Sequence, residues 1–122
     1  MNREEFIDAY YNIAKRAVTF SKKAIKEGIL PLEDDLIREK IEKRDIFEYG
    51  MQFVVDGHDR AFIDKLLTNI INHEQDEYSR LLKTMQKEAV LLIWGGTNPV
   101  ALSAFLNSYT DLSLTEDKIL YR

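Results

Sequence analysis

Two histidines and several carboxylates are the side chains in this sequence that could bind a metal ion. His73 and Glu77 stand four residues apart, so a helix would place both on one face. A zinc site needs at least three protein ligands, but the motif HExxH is absent and no third ligand follows at a suitable spacing. His58 is distant from this pair in sequence. We therefore predict no metal site and expect His73 to be solvated or to cap a helix.

Two other segments could bind ions, but both lack the sequence pattern of a known binding site. The acidic run from Glu33 to Asp35 lacks the alternating oxygen ligands and central glycine of a calcium loop, so it predicts a charged helix start. Gly95 and Gly96 precede a helix, where free backbone N–H groups could bind an anion, but the spacing of a phosphate-binding loop is missing. The chain has no cysteine, which excludes thiolate nucleophiles and disulfides. We expect a protein that is not an enzyme and needs no cofactor.

The composition is typical of a small soluble domain. The 122 residues are 45% hydrophobic and 31% charged, which allows one buried core and argues against disorder. The net charge of −4 argues against nucleic acid as the main partner, because nucleic acid requires a basic surface. The strongest apolar run, Ala89 to Gly96, is far shorter than the roughly 20 residues that span a bilayer. Arg3, Glu4 and Glu5 do not resemble a secretory signal, so we expect a cytoplasmic protein without a membrane span.

Helical periodicity dominates the first half of the chain. Asn2 is the expected N-cap of a long amphipathic helix that ends at Gly28. Its apolar residues recur at spacings of three and four: Phe6, Tyr10, Ile13, Ala17, Phe20 and Ala24. The charged stretch from Glu33 to Arg44 predicts one or two solvated helical turns before a second helix. That helix stops at Gly57, and its spacing favours a helix end over a hairpin turn at Asp56-Gly57.

The longest segment runs from Asp59, a possible N-cap, to Trp94 without glycine or proline. A continuous helix over this range would be roughly 54 Å long, which is too long for a compact monomer of this size. The chain therefore bends between Asn72 and Glu77, or the helix stays straight and its two halves pack against another chain.

The segment from Gly95 to Pro99 is the clearest helix boundary in the sequence. The glycines end one helix, Asn98 caps the next, and Pro99 occupies its first position. A last amphipathic helix follows. The end of the chain, from Thr110 to Arg122, is expected to be loose, with a final helical turn after Thr115.

The aromatic residues are predicted to form core and not a stacking platform for bases. The predicted core aromatics are Tyr10, Tyr11, Phe20, Phe47, Phe53, Phe62 and Phe105. Trp94, beside two glycines, is either a buried core residue or an anchor for a partner. The core interpretation is favoured.

Two stretches of the sequence resemble the cytoplasmic parts of MotA-type flagellar stator proteins, in the MotA/TolQ/ExbB family. The first is AIKEGILPLE at residues 24–33, followed by FVVDG at residues 53–57. The second is EAVLLIWGGTNP at residues 88–99, which continues through Leu102, Leu106 and Ser108. Both occur in the family's order. The resemblance implies one helical domain over residues 1–122, with a loop-like part at 1–77, a tail-like part at 78–109 and a C-terminal extension at 110–122.

In that family, a pair of transmembrane helices that line the ion path separates the two segments. Here residues Ile63 to Glu74 resemble the remainder of the first segment, so only the short stretch near Asp76 to Met85 stands between the two. The resemblance therefore implies the rotor-facing module without the channel, and hence no ion conduction. Joining the flanking helices without a turn favours one helix over residues 59–94. We therefore hypothesise a domain-swapped homodimer that exchanges the returning half of this helix.

The resemblance also implies partner-binding residues. In the family, a basic and an acidic residue beside the glycine-containing motif engage oppositely charged residues of the rotor protein FliG. The acidic position corresponds to Glu33, whereas Ile25 stands at the basic position. Lysines on a neighbouring face could replace the missing cation, so the expected partner-binding residues are Lys22, Lys23, Lys26 and Glu33. The structural motif residues are Gly28, Asp56, Gly57, Gly95, Gly96, Asn98 and Pro99.

The sequence thus predicts an all-α bundle of about four to five helices, one of them long. The expected function is that of a MotA-like module that binds or modulates flagellar rotor or stator components. The alternative is a helical adaptor or oligomeric scaffold that kept the fold but not the motor role. Ile25 in place of a basic residue favours this alternative.

Overall fold

The computed structural model describes residues 1–36 and 44–110, and within these ranges every regular element is helical. The elements are α1 (Arg3–Glu27), a short 3-10 helix (Leu30–Asp35), α2 (Ile46–Val55), α3 (Arg60–Ile71), α4 (Glu77–Trp94) and α5 (Pro99–Asn107). The predicted all-α class is confirmed. Helical turns were predicted over Glu33 to Arg44, and the part at residues 37–43 lies outside the described residues, as does the turn predicted after Thr115.

Helix α4 is the centre of the bundle, because it packs against each of the other four α-helices. Its buried residues are Leu82, Met85, Gln86, Ala89, Val90, Leu91 and Ile93. The Gln86 side chain accepts the backbone N–H of Phe47 at 3.0 Å, and Gly50, almost one turn later in α2, lies against Val90. Helix α2 therefore runs parallel to α4. A buried glutamine binds one of the N–H groups that the first turn of α2 leaves unpaired.

Helix α1 also runs parallel to α4. Near the start of both helices the rings of Phe6 and Tyr78 lie 4.9 Å apart. Towards their ends the Ser21 hydroxyl donates to the carbonyl of Thr97, just beyond α4, at 2.8 Å. Asn2 caps α1 as predicted, because its side chain accepts the N–H of Glu5. The predicted apolar stripe of α1 is buried along most of its length.

Helices α3 and α5 run back in the opposite direction. Lys87 of α4 forms an ion pair with Asp64 of α3 at 3.1 Å, and a short turn joins these two antiparallel helices. The hydroxyl of Tyr10 in α1 donates to the side chain of Asn107 at the end of α5. Burial raises the pKa of Tyr10 to about 12, so this hydroxyl remains a donor at neutral pH.

The continuous helix predicted over residues 59–94 is wrong, because α3 ends at Ile71 and α4 begins at Glu77. The chain instead bends between Asn72 and Asp76, which was the other predicted alternative, and α3 folds back on α4. Its buried face is formed by Ile63, Leu67 and Ile71. Within one chain this antiparallel packing removes the apolar face of α3 from water, so no exchange of helices is needed. The hypothesis of a domain-swapped homodimer required the continuous helix, so the structure removes the reason for it.

Carboxylates form the turn between α3 and α4. The Glu74 carboxylate accepts the backbone N–H groups of Gln75 and Asp76 at 2.9 and 3.2 Å. It also forms an ion pair with Lys83 in α4 at 3.1 Å. Asp76 then caps α4 by accepting the N–H of Ser79 at 2.8 Å. These bonds satisfy the N–H groups that a new helix start leaves unpaired, so the chain breaks without glycine or proline.

The aromatic predictions were correct for the helix interior and wrong at the helix ends. Tyr10, Phe20 and Phe47 are buried as predicted. Tyr11 and Phe53 are partly buried against the core. Three residues predicted as core are exposed: Trp94 by 41%, Phe62 by 46% and Phe105 by 37%. Trp94 is the last residue of α4, where the bundle no longer covers its indole ring.

The packing of α2 predicts that Gly50 cannot be enlarged. A Cβ atom at Gly50 would lie 2.9 Å from Leu67 Cδ1 and 3.0 Å from both methyl carbons of Val90. Val90 is buried, and its β-branched side chain has little rotamer freedom. We expect Gly50→Val to lower the free energy of unfolding by about 2–3 kcal/mol, measured by urea denaturation.

Two further variants control this prediction. Val90→Ala in the Gly50→Val background should recover part of the lost stability, because it opens space for the new methyl groups. Gly95→Val is the matched control, since the nearest contacts of a Cβ atom there are at 3.6 Å and φ is −82°. Gly95→Val should lower the free energy of unfolding by less than about 1 kcal/mol. Equal losses at the two glycines would contradict the close packing at Gly50.

The turn between α3 and α4 predicts a pH-dependent contribution from Glu74. Hydrogen bonds from Lys83 and from the backbone N–H of Asp76 hold the pKa of Glu74 below its ordinary value. A pKa lowered by folding stabilises the native state above the unfolded pKa, and this contribution is lost as the pH falls through the folded pKa. Glu74→Gln should therefore lower the melting temperature at pH 7. The difference from wild type should shrink as the pH falls below 4.5. Glu77→Gln, the same substitution three residues later at the start of α4, should show a smaller effect of this kind.

Candidate partner-binding site

The two family-like stretches meet at one end of the bundle, where α1, α2 and α4 all end. Trp94 Nε1 donates to the His58 carbonyl at 3.0 Å, which joins the end of α4 to the loop after α2. The Ser21 hydroxyl donates to the Thr97 carbonyl at 2.8 Å, which joins the loop after α4 to the last turns of α1. This end of the bundle, formed by residues 21–34, 55–59 and 94–99, is termed the motif end.

The two glycine motifs form the same type of helix cap. Gly57 and Gly96 have φ values of +87° and +78°, which residues with a Cβ atom rarely adopt. In each cap, the N–H of the glycine and the N–H of the next residue donate to carbonyls of the last helical turn at 3.0–3.1 Å. This is the Schellman motif, and it turns the chain sharply at the end of α2 and of α4. The prediction of a helix end at Asp56-Gly57, against a hairpin, is confirmed.

The other motif residues also lie at this end. Gly28 is the C-cap of α1, with φ of +91°. The Asn98 side chain accepts the N–H of Ala101 at 2.9 Å, and Pro99 is the first residue of α5. Both roles were predicted. The loop after α4 thereby starts α5 on its return along α1.

Gln52 connects the acidic residues of the first motif. Its Nε2 atom donates to Glu33 at 3.2 Å and to Asp56 at 3.0 Å, and its Oε1 atom accepts from Arg44 at 2.9 Å. The predicted partner-binding residue Glu33 is therefore hydrogen-bonded to α2 close to the Asp56-Gly57 cap. Gln52 was not predicted from the sequence as part of this site. Its spacing of four residues from Asp56 is the one signal that could have indicated it.

The three predicted lysines differ in their surroundings. Lys23 forms an ion pair with Asp35 at 2.6 Å, which fastens α1 to the 3-10 helix and raises the pKa of Lys23 above its ordinary value. Lys22 and Lys26 are exposed and lie one helical turn apart. Ile25 lies on the same face and is 55% exposed. An apolar residue between two cations therefore occupies the surface where the family pattern has a basic residue.

An aromatic cluster at the motif end was not predicted from the sequence. The His58 ring stacks on Phe62 at 4.9 Å and meets the edge of Phe53 at 5.1 Å. The carbonyl of the same histidine accepts the Trp94 indole N–H. Phe53 and His58 occupy the two positions that touch across a Schellman motif, so the cap geometry could have predicted their contact. The cluster joins α2, α3 and α4 at the surface.

The described residues contain neither a metal site nor a membrane-spanning helix. Among residues 1–36 and 44–110, no group of three or more His, Cys, Asp or Glu side chains is placed to hold a metal ion. The described helices are all too short or too polar to cross a bilayer. His73 is exposed in the turn between α3 and α4.

The sequence is similar to Motility protein A of Borreliella burgdorferi, with 37% identity over 108 residues. This match covers 86% of the chain and 40% of that protein, so the chain spans well under half of its relative's length. No family model matches the sequence, and no solved structure matches it. The similarity supports a MotA-related chain in general, because it covers most of the chain.

The Gln52 contacts predict the effect of an added negative charge. Gln52→Glu would remove the donor to Glu33 and Asp56 and place a third carboxylate between them. We expect the free energy of unfolding to fall by about 1–2 kcal/mol at pH 7, measured by urea denaturation. The difference in free energy of unfolding between Gln52→Glu and wild type should become smaller below about pH 4, where carboxylates take up protons. Gln75→Glu, the same change at an exposed turn position, should alter stability much less. If Gln52→Glu lowers the free energy of unfolding equally at every pH, charge repulsion is not the cause of the destabilisation.

Proposed function

We propose that this chain is a non-enzymatic, cytoplasmic, MotA-like module that binds or modulates components of the flagellar rotor or stator without conducting ions. One observation carries the proposal: two stretches that resemble MotA, far apart in sequence, build a single surface at the motif end. The 37% identity to Motility protein A supports the same assignment.

The motif end is suited to present charged residues in a defined arrangement. Two Schellman caps and the Asn98 cap determine the path of the loops. Gln52 donates a hydrogen bond to Glu33, and the Lys23–Asp35 ion pair connects the 3-10 helix that contains Glu33 to α1. Charges on such a surface need little ordering when a partner binds, which lowers the entropic cost of association.

The proposed partner is the rotor protein FliG, through opposite charges. Glu33 would face a basic residue of the partner, and Lys22 with Lys26 would face an acidic one. The two lysines lie three residues before and one residue after Ile25, so the positive charges flank the family's basic position. Exposed ion pairs each contribute about 1 kcal/mol or less, so this contact should be weak and sensitive to salt.

A second candidate function is that of a helical adaptor or oligomeric scaffold. The exposure of Ile25, at 55%, and of Leu30, at 73%, favours it. These side chains give the motif end an apolar character that a purely ionic contact with a rotor would not use. An adaptor would bind a different protein at the motif end and would ignore FliG.

The test is binding to purified FliG at low salt, followed by light scattering of the mixture. We expect a complex with the wild-type chain, and Lys26→Glu and Glu33→Lys should each weaken it by about 5- to 30-fold. Lys15→Glu is the matched control, because it makes the same charge change about 16 Å earlier on α1. Its affinity should remain close to that of wild type.

The possible results separate the two functions. A complex that both motif-end variants weaken, and that dissociates in high salt, would support the rotor contact. A wild-type chain that forms no complex with FliG at any salt concentration would refute the rotor contact and leave the adaptor function. Equal weakening by Lys15→Glu would show that net charge, and not the motif end, determines the binding.

A further inference from the structure

A cavity of about 460 Å³ lies between the start of α2, the end of α3 and the middle of α4. Helix α2 contributes Ile46 and Tyr49 to its wall, α3 contributes Ile70, and α4 contributes Lys83 and Gln86. Small-molecule sites in proteins commonly have volumes of roughly 300–1,000 Å³ and often lie between helices. The motif end lies beyond the other end of α2, so a ligand bound here would be separate from a partner bound there.

Arg44, which precedes α2, lines the same cavity with a guanidinium group that is only partly bonded. Its Nη1 atom donates to the Gln52 side chain at 2.9 Å, and this partner is neutral. Within residues 1–36 and 44–110, the Nε–H of Arg44 is the one buried side-chain donor that has no hydrogen-bond partner. A buried donor without an acceptor lowers the stability of a protein, so its position indicates where an acceptor is expected.

The wall of the cavity carries a net positive charge. Arg44 and Lys83 supply two positive charges and Asp45 supplies one negative charge, which leaves +1. Both oxygens of Asp45 already accept bonds, from a backbone N–H in the first turn of α2 at 2.9 Å and from Arg16 at 2.5 Å. Lys83 forms an ion pair with Glu74 at 3.1 Å. Of the charged groups at this wall, Arg44 is therefore the one without an ion pair to another described residue.

The remainder of the wall is largely apolar. Ile46 is buried, Ile70 is partly buried against the core, and the ring of Tyr49 is partly exposed. Gln86 uses its side-chain oxygen to accept the Phe47 N–H, which leaves its NH₂ group as a donor at the wall. An apolar wall with a few polar groups that determine the orientation of a ligand is the usual composition of a small-molecule site.

We propose that this cavity binds a small carboxylic acid with an apolar portion, and that Arg44 binds its carboxylate. The Nε and Nη2 groups of a guanidinium present two parallel N–H donors, which match the two oxygens of a carboxylate. Gln52 occupies Nη1, so this edge is the one that remains. Turning it toward a ligand breaks no hydrogen bond at Nε and gives the buried donor an acceptor.

The charge of the cavity distinguishes a carboxylate from a phosphate group. One unpaired cation at the wall matches a single negative charge. A phosphate monoester carries about −1.5 to −2 charges at neutral pH and would leave part of its charge uncompensated beside Asp45. The apolar side chains on the opposite side of the wall also favour an organic acid, because a bare inorganic anion would gain nothing from them.

Titration of the full chain with phenylbutyrate, followed by NMR, tests this site. Phenylbutyrate has one carboxylate and an apolar chain with a ring. We expect a saturable shift of the Arg44 Nε–H signal, together with the backbone N–H signals of Tyr49 and Ile70, and a Kd on the order of 1 mM. Phenylbutyramide, the neutral amide of the same shape, should bind about 10-fold or more weakly, because it lacks the charge-assisted hydrogen bonds.

Two pairs of variants place the probe in the cavity. Arg44→Gln should weaken phenylbutyrate binding by about 10- to 100-fold, whereas Arg80→Gln, at an exposed arginine of α4 outside the cavity, should leave it unchanged. Ile70→Phe keeps Arg44 and fills the space beside it, so it should also weaken binding. Leu66→Phe, the matched change on another face of α3, should have little effect.

Four results would overturn the proposal. The first is no saturable shift up to the solubility limit of phenylbutyrate. The second is equal binding of the neutral amide, which would make the cavity an apolar cleft without an anion site. The third is binding that Arg44→Gln leaves unchanged. The fourth is inorganic phosphate that shifts the Arg44 Nε–H signal at lower concentrations than phenylbutyrate does, which would exclude carboxylic acids as the preferred class.

Discussion

The burial of α4 among four other helices is the constraint on which the structure depends. Its second half is uncharged after Glu88, and it has no side that faces water throughout. The one buried polar side chain of α4, Gln86, is used to bind the first turn of α2. Because α4 must be covered, α1 and α2 lie alongside it and α3 and α5 fold back over it.

This arrangement also determines where the surface features lie. Three parallel helices end together, so three glycines with positive φ fall at one end of the bundle. The loops that leave these caps carry the residues that resemble the stator family. The motif end is thus a consequence of parallel packing around α4, and its charged residues lie on top of a well-packed core.

The motif end and the outer face of α5 are two surfaces with different physical properties. The motif end carries charges held by Gln52 and by the Lys23–Asp35 ion pair. The exposed residues on the outer face of α5 are all apolar: Val100, Ala101, Ala104 and Phe105. Charged surfaces favour weak, salt-sensitive contacts, whereas uncharged apolar surfaces favour contacts that bury area.

The sequence by itself determined the features that depend on neighbouring residues. The caps at Asn2, Asp59 and Asn98 and the helix ends at Gly28 and Gly57 were all predicted, because each rests on hydrogen bonds and dihedral angles within one turn. These local signals also defined most of the helices and the all-α class.

The tertiary structure decided what depends on distant contacts. The helical pattern continues in phase from Ile71 to Tyr78, so only the packing of α3 against α4 and the bonds of Glu74 explain the break there. The exposure of Trp94 could not be read from its type, because it depends on where the covering helices end. Glu33 and Asp56 are likewise brought together by Gln52 only after α2 and the 3-10 helix pack against each other.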